Sequence, residues 1–443
     1  MDTDSLNNSL PNTGIRPVDS EIGRLAEYDE DFLSKVIAKA LPSNYNFEVR
    51  KCIAKIRQKE ASCVALQMPE GLLHWGCEIS DILLFFCPSL TEVVIMADVT
   101  YGACCIDDLT AACLGCDLVI HYGHSCLIPI NTVTLDCLYV FVEISFPADK
   151  LVDSIKTNFD ENDHLIMLGT IQYSNVLRET AAKLDADDYF KYQVDIPQAL
   201  PLLPGEVLGC TSPKIDVGKI RRKIANGSVE AENDALAVPN ATDKIIFIAD
   251  GRFHLESTLI QNPGIQLFRF DPFSKIFSEE SYDLECLQNT RHDAIINARR
   301  SRKICIILST LGRQGNTNIF KNISDLLTEN KIDHFKLMLS EITLEKLESI
   351  DADAFIQVGC PRLSIDWGTS FKKPILNPYE SYVAFGKVEY KRVYPMDYYS
   401  RAGGDWANYP ANAKATDAVD PKEMIRQRLM QRSMNAKRVE YSS

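Results

Sequence analysis

The feature that most restricts this chain is a rhythm. Short, continuously apolar runs alternate with stretches of helical periodicity along most of its length. "CVALQM", "EVVIMAD", "CDLVIHY" and "CLYVFVEI" are strand-like, and "LLHWGCEISDILLFF" and "DDLTAACLG" between them place apolar residues at helical spacing. A strand that is apolar at every position, and not at alternate ones, is covered on both faces. That is the mark of parallel strands joined by helices.

The rhythm returns twice. "HLIMLGTIQYS", "YFKYQVDI", "KIIFIADGRFH" and "IQLFRFD" are grouped with the helix "NVLRETAAKL"; "KICIILSTLGRQG", "HFKLMLSEI", "DAFIQVG" and "KPILN" are grouped with the helices "NIFKNISDLLTEN" and "LEKLESI". The expected fold is α/β: three sequential, similar α/β domains, each a small mainly parallel sheet flanked by helices, converging on one centre. The expected bounds are 41–150, 151–290 and 291–400. Residues 1–40 form a polar, disordered segment with a leading amphipathic helix, and 214–243 is a surface insertion in the second domain. Residues 401–443 are a flexible tail, in which Asp420 and Pro421 can start a short basic helix.

At 443 residues the chain has room for two or three cores. Its net charge of -14 argues against a surface that neutralises phosphates, so no direct nucleic-acid partner is expected. "MDTDSLNNSLPNTG" has neither a basic nor an apolar leader region, and no run of eighteen apolar residues occurs. A cytoplasmic protein without a membrane span is expected.

Fourteen cysteines is a high count for a reducing compartment. Cys52, Cys63, Cys77, Cys87, Cys137 and Cys305 lie in apolar runs, where a thiol packs as a small hydrophobe. Three other sites follow strands and adjoin glycine: Cys104 with Cys105 in "YGACCIDD", Cys210 in "LGCTSP" and Cys360 in "VGCPRLSIDWG". One falls in each expected domain, at the strand ends where open α/β sheets bind ligands. Three thiolates suit zinc or an iron–sulfur cluster. The CxxC of Cys113 and Cys116 sits in a helical pattern with no second pair, a poor start for structural zinc. Three cysteines on a four-iron cluster would leave one iron open to a substrate. Spacing alone leaves such a cluster and ordinary buried thiols both open.

Other stretches carry further chemistry. "HYGHSC" offers His121, His124 and Cys126 as a zinc site with an open position, the basis of an alternative reading as a zinc-dependent hydrolase. Against it, histidines three apart share a face only on a helix, and this is a strand end. "DGRFHLES" groups Asp250, Arg252, His254 and Glu256 as a polar pocket or a structural network. "STLGRQGN" suits an anionic or zwitterionic group at a helix N-terminus, without the Lys of a nucleotide-binding loop.

Side by side, "LPSNYNFE", "LQMPEGLL", "DVTYGACCIDD", "HYGHSCL", "LGCTSP", "DGRFHLES", "TLGRQG" and "CPRLSIDWG" make the chain resemble the Dph1/Dph2 family of diphthamide biosynthesis proteins, over about residues 41–400. The resemblance implies an atypical radical enzyme that uses S-adenosylmethionine and a [4Fe–4S] cluster. Cys104, Cys210 and Cys360 would each supply one ligand, with Cys104 preferred over Cys105 because the "YGAC" of simpler members ends there. It implies transfer of a 3-amino-3-carboxypropyl group to C2 of a histidine imidazole on translation elongation factor 2, the first step of diphthamide synthesis, with release of methylthioadenosine. Gln314 and Arg362 would hold the amino-acid end of the cofactor, with His254 a further pocket residue. Implied partners are a paralogous second subunit and a small iron-binding electron donor. A non-catalytic scaffold subunit of the same complex is the remaining alternative.

Overall fold

The structure, a computed structural model, describes residues 29–97, 102–123, 127–128, 133–161, 163–186, 193–216 and 242–408. The insertion from 217 to 241, the terminal segments, and the expected helix at Asp420 lie outside the described residues, as do His124 and Cys126.

Helix α1 (Glu30–Ala40) starts at Asp29, whose carboxylate accepts the backbone N–H of Asp31 and Phe32. A short strand β1 (Tyr45–Asn46) and helix α2 (Val49–Lys59) follow. The first sheet comprises β2 (Cys63–Gln67), β3 (Glu92–Met96), β4 (Leu118–Tyr122) and β5 (Asp136–Val140). All its pairings are parallel. Every residue of β2 and β4 is buried, as their unbroken apolar runs require. Alternate side chains serve opposite faces. Val64 and Leu66 pack with Leu33 of α1, Ile53 of α2 and Ile79 of α3 (Gly76–Phe86), whereas Cys63 and Ala65 pack with Ala111 of α4 (Asp108–Cys113). The run "CLYVFVEI" is split: after β5 the chain breaks step and β6 (Glu143–Ile144) pairs antiparallel with β1.

The second sheet holds β7 (His164–Gly169), β8 (Gln193–Asp195), β9 (Asp243–Ile248) and β10 (Gln266–Phe270), with β11 (Phe277–Glu280) added antiparallel at one edge. Helices α5 (Asp149–Asn158) and α6 (Ser174–Asp185) cover one face, and α7 (Phe253–Gln261) the other. Helix α8 (Leu284–Arg299) leads to the third sheet: β12 (Lys303–Ser309), β13 (Asp333–Leu339), β14 (Ala354–Val358) and β15 (Ile375–Leu376), all parallel. Its helices are α9 (Thr317–Glu329), α10 (Leu344–Glu348), α11 (Pro361–Trp367) and α12 (Pro378–Ala384).

Counted from its own first strand, each sheet is ordered second, first, third, fourth. Three sheets with one winding order account for the repeated rhythm. In that order the chain reverses direction across the sheet between the first and third strands, and the crevice beyond their carboxyl ends is where such folds bind ligands. The site thiols follow the repeat only in part. Cys104 and Cys210 lie in connections between second and third strands, whereas Cys360 directly follows a third strand.

One sequence expectation needs correction. Cys77 is exposed on α3, because its helical position turns away from the face that carries Ile79 and Leu83. "DGRFHLES" lies beyond β9, and its last five residues begin helix α7. Among the described residues no helix is long and apolar enough to cross a membrane.

Candidate metal centre

The adjacent cysteines sit in a single 3-10 turn, Ala103–Cys105, between β3 and α4. Gln67, the last residue of β2, holds that turn from below. Its amide nitrogen donates to the Cys105 carbonyl (2.9 Å) and its oxygen accepts the Asp107 backbone N–H (3.2 Å). The same oxygen lies 3.0 Å from His121 Nδ1, so this ring nitrogen carries the proton. His121 is fully buried beside the turn.

The "TLGRQG" turn of the third sheet closes over the cysteines from the opposite side. Gly312 has φ +52, and a Cβ there would stand 2.4 Å from the Cys105 carbonyl carbon, so glycine is required on both counts. Arg313 N–H donates to the Cys104 carbonyl (2.8 Å), and the Gln314 amide nitrogen donates to the Cys105 sulfur (3.3 Å). Ser309 Oγ holds the other end of Gln314 at 3.3 Å.

Cys210 lies in a tight turn in which Leu208 and Thr211 exchange backbone hydrogen bonds (2.9 and 3.2 Å). Ser257 of α7 anchors it through the Leu208 carbonyl (2.6 Å). Gly209 packs against the Phe253 ring so closely that a Cβ would come within 2.2 Å of it. Cys360 occupies the N-cap position of α11. Buried Gln357, in β14, donates to its carbonyl (2.8 Å), as Gln67 does for Cys105.

Arg362 ties these two cysteines together. Nη1 donates to the carbonyls of Gly209 (3.1 Å) and Phe253 (2.6 Å), Nη2 to Glu256 (2.6 Å), and Nε to Asp366 (2.8 Å), while the guanidinium stacks on the Phe253 ring 4.2 Å from its centroid. The plane-and-fork shape of arginine makes this set of contacts possible. His254 stands at the start of α7, half-buried, with its ring edge-on to Phe253 at 5.4 Å.

The structure therefore brings Cys104, Cys210 and Cys360 together with Cys105. The first three are half-buried and Cys105 is buried. The Cys104 thiol is raised well above its ordinary pKa, first by its hydrogen bond with Cys105, then by burial and by the nearby Cys105, Cys360 and Cys210. Burial, then Cys360, pushes Cys210 up to about 12. Burial also raises Cys360, against the pull of Arg362. With no cation among them these thiols stay protonated; a bound metal centre reverses that balance and takes them as thiolates. Among the described residues no three His, Cys, Asp or Glu side chains are close enough to hold one metal ion. An iron–sulfur cluster takes each thiolate at a separate iron, so its ligands stand farther apart than those of a single ion. The all-sulfur donor set fits such a cluster.

A buried amide inside an otherwise apolar strand, as in "CVALQM" and "AFIQVG", is a signal that marks Gln67 and Gln357 as supports of the site. Glu256 and Asp366 carry no comparable signal as partners of Arg362.

The family model for diphthamide synthesis proteins matches residues 68–395. The chain is 44% identical to 2-(3-amino-3-carboxypropyl)histidine synthase subunit 1 of Schizosaccharomyces pombe over 422 residues, 92% of this chain and 91% of that protein. It is 48% identical to the Dictyostelium discoideum protein of the same name, over 84% of this chain and 75% of that one, and 45% identical to the human one, over 83% and 78%. Among solved structures, Dph2 from Pyrococcus horikoshii with a 4Fe-4S cluster is similar in fold, with a TM-score of 0.60 and 23% identity over 80% of this chain and 93% of that one.

Proposed function

The chain belongs to the diphthamide synthesis protein family, and on that premise we propose that it transfers the 3-amino-3-carboxypropyl group of S-adenosylmethionine to C2 of a histidine imidazole on translation elongation factor 2. The observation that carries this reading is the meeting of thiols from connections of all three sheets at one place. Cys104, Cys210 and Cys360 would hold a [4Fe–4S] cluster. When bound, that cluster supplies the electron that cleaves the donor's bond between sulfur and the methionine Cγ, with methylthioadenosine as the by-product.

The chain's own share is to bind, orient and exclude water. Gln67 and Gln357 fix the backbone carbonyls of two cysteine turns, so the sulfurs are presented from rigid strand ends. Arg362 holds the Cys210 turn against the Cys360 helix. We assign Gln314, Arg362 and His254 to the amino-acid end of the donor. Gln314 then exchanges the Cys105 thiol for a donor carboxylate oxygen, a stronger, charge-assisted acceptor. A paralogous second subunit and a small iron-binding electron donor complete the proposed cytoplasmic system.

Anaerobic reconstitution, with iron and sulfide counting and an EPR spectrum after reduction, tests the cluster. Mass analysis of the elongation-factor histidine after turnover tests the transfer. A colourless protein that takes up one zinc and no iron overturns the reading in favour of a hydrolase. Full transfer by a variant with Cys104, Cys210 and Cys360 replaced by Ala shows a scaffold role.

A further inference from the structure

Tyr398 is stitched into the site by its neighbours. Its backbone N–H donates to the Cys210 carbonyl (3.3 Å) and its own carbonyl accepts Asn408 N–H (2.7 Å). On one side Met396 accepts the Ser212 N–H (2.9 Å); on the other Tyr399 N–H donates to Thr211 Oγ1 (2.9 Å). Asp397 pairs with Thr211 in an isolated bridge and accepts from the Trp406 indole (2.7 Å). The segment is thus laced to the Cys210 turn residue by residue, and Cys210 and Tyr398 line the same narrow cleft. Tyr398 is 4% exposed, and its hydroxyl has no hydrogen-bond partner among the described residues. The fold satisfies a buried phenol nearby: Tyr394 Oη accepts from Asn377 (2.7 Å) and donates to Glu380 (2.8 Å). At Tyr398 the titratable groups within electrostatic reach are Cys210, Cys360, Cys104 and Tyr382.

We propose that Tyr398 is a positioning residue of the metal centre, whose phenol O–H donates a hydrogen bond to a sulfur of the bound cluster or of its thiolate ligands; this rests on the reading of Cys104, Cys210 and Cys360 as cluster ligands. None of the three cysteine sulfurs is a hydrogen-bond partner of this phenol, whereas a bound cluster would add anionic sulfide as an acceptor. A donor aimed at cluster sulfur favours the reduced, more negative state and raises the reduction potential.

The test uses the full chain, reconstituted anaerobically as wild type and as Tyr398→Phe. Iron and sulfide are counted, the midpoint is followed by EPR during a redox titration, and exchangeable protons are sought by ENDOR in H2O and D2O. The expected result is an equal cluster content with a lower potential in Tyr398→Phe. At the wild-type midpoint, the reduced-to-oxidised ratio falls by about tenfold, equivalent to about 59 mV for one electron. One exchangeable proton coupling is also lost. An unchanged potential with the coupling intact overturns the proposal. Should Tyr398→Phe fail to load, 3-fluorotyrosine at this position keeps the shape and strengthens the donor; a raised potential supports the proposal and an unchanged one overturns it. A wild-type chain that takes up no iron sinks the cluster reading first, and this proposal with it.

Discussion

Arg313 and Asp108, 205 positions apart, meet in a two-pronged ion pair: Nε to Oδ1 at 2.8 Å and Nη2 to Oδ2 at 2.6 Å, with the carboxylate fully buried. This pair locks the third sheet's glycine turn onto the first helical turn after Cys104 and Cys105. Burial works against the charged carboxylate, yet the Arg313 hydrogen bonds and the Thr134 backbone N–H hold its pKa below the ordinary value.

Replacing Asp108 by Asn removes the charge and leaves Arg313 without its partner. A loss of about 1–3 kcal/mol is expected, the scale of losing hydrogen bonds to a charged group, because the arginine left behind is partly exposed. Urea denaturation of the iron-free protein measures it. Iron uptake is expected to fall as well, since the clamp sets where Cys104 sits relative to Cys360.

The two adjacent cysteines are expected to behave differently. Cys105 is buried with its sulfur already bonded to Gln314, whereas Cys104 is partly open to solvent. Cys104→Ser should lose most of its iron and Cys105→Ser should keep it. Iron-to-protein ratios after reconstitution decide between them, and the reverse pattern would reassign the ligand.

Arg362→Lys keeps the charge and loses the fork. A single ammonium cannot reach Gly209, Phe253, Glu256 and Asp366 together. A destabilisation on the order of 3 kcal/mol is expected, together with a broadened EPR signal because the Cys210 turn is no longer tied to the Cys360 helix. Equilibrium unfolding and EPR linewidth check the two parts.

Glu206 is a buried carboxyl whose one resolved hydrogen bond comes from Leu203 N–H (2.8 Å), and burial pushes its pKa up to about 7. A carboxyl raised in the fold favours the folded state while protonated. That contribution is complete below the unfolded value near 4.5 and is lost as pH rises to about 7. Glu206→Gln should match wild type at pH 4 and exceed it by on the order of 2–4 kcal/mol at pH 8. Denaturation curves at the two pH values show whether the gain appears only at the higher one.

His164 lies between two carboxylates, with Nδ1 3.0 Å from Asp243 and Nε2 3.0 Å from Asp195. Burial lowers its pKa, but the two hydrogen-bonded carboxylates outweigh burial and the value is raised. The resulting stabilisation is fully present below pH about 6.5 and fades as pH rises through the folded value. Wild-type stability should therefore decline above neutrality, whereas His164→Gln should be less stable at pH 6 and flatter with pH. Parallel slopes for the two proteins would exclude this role.

Much of the fold was legible because strand burial is a local property. "CVALQM" and "KICIILS" are apolar without alternation, and both are strands buried on both faces or nearly so. Helix α9, which has the strongest apolar stripe, was legible for the same reason. Two that were missed have mixed stripes: α8 buries Arg291 against Glu380, and α12 is buried at all its positions, so neither shows one apolar and one polar face. The three cysteine positions could be picked out by their place after strands and beside glycine.

The sequence alone determined the elements and the residues worth watching, because periodicity and turn chemistry act over a few neighbours. Only the tertiary structure decided that Gly312 lies on Cys105, that Arg362 spans two turns, and that Tyr398 is buried against the Cys210 turn with its hydroxyl unpartnered among the described residues. Those contacts join positions up to 207 apart. They depend on how the three sheets are set against one another, and that is decided by side-chain packing between units, which no local pattern records.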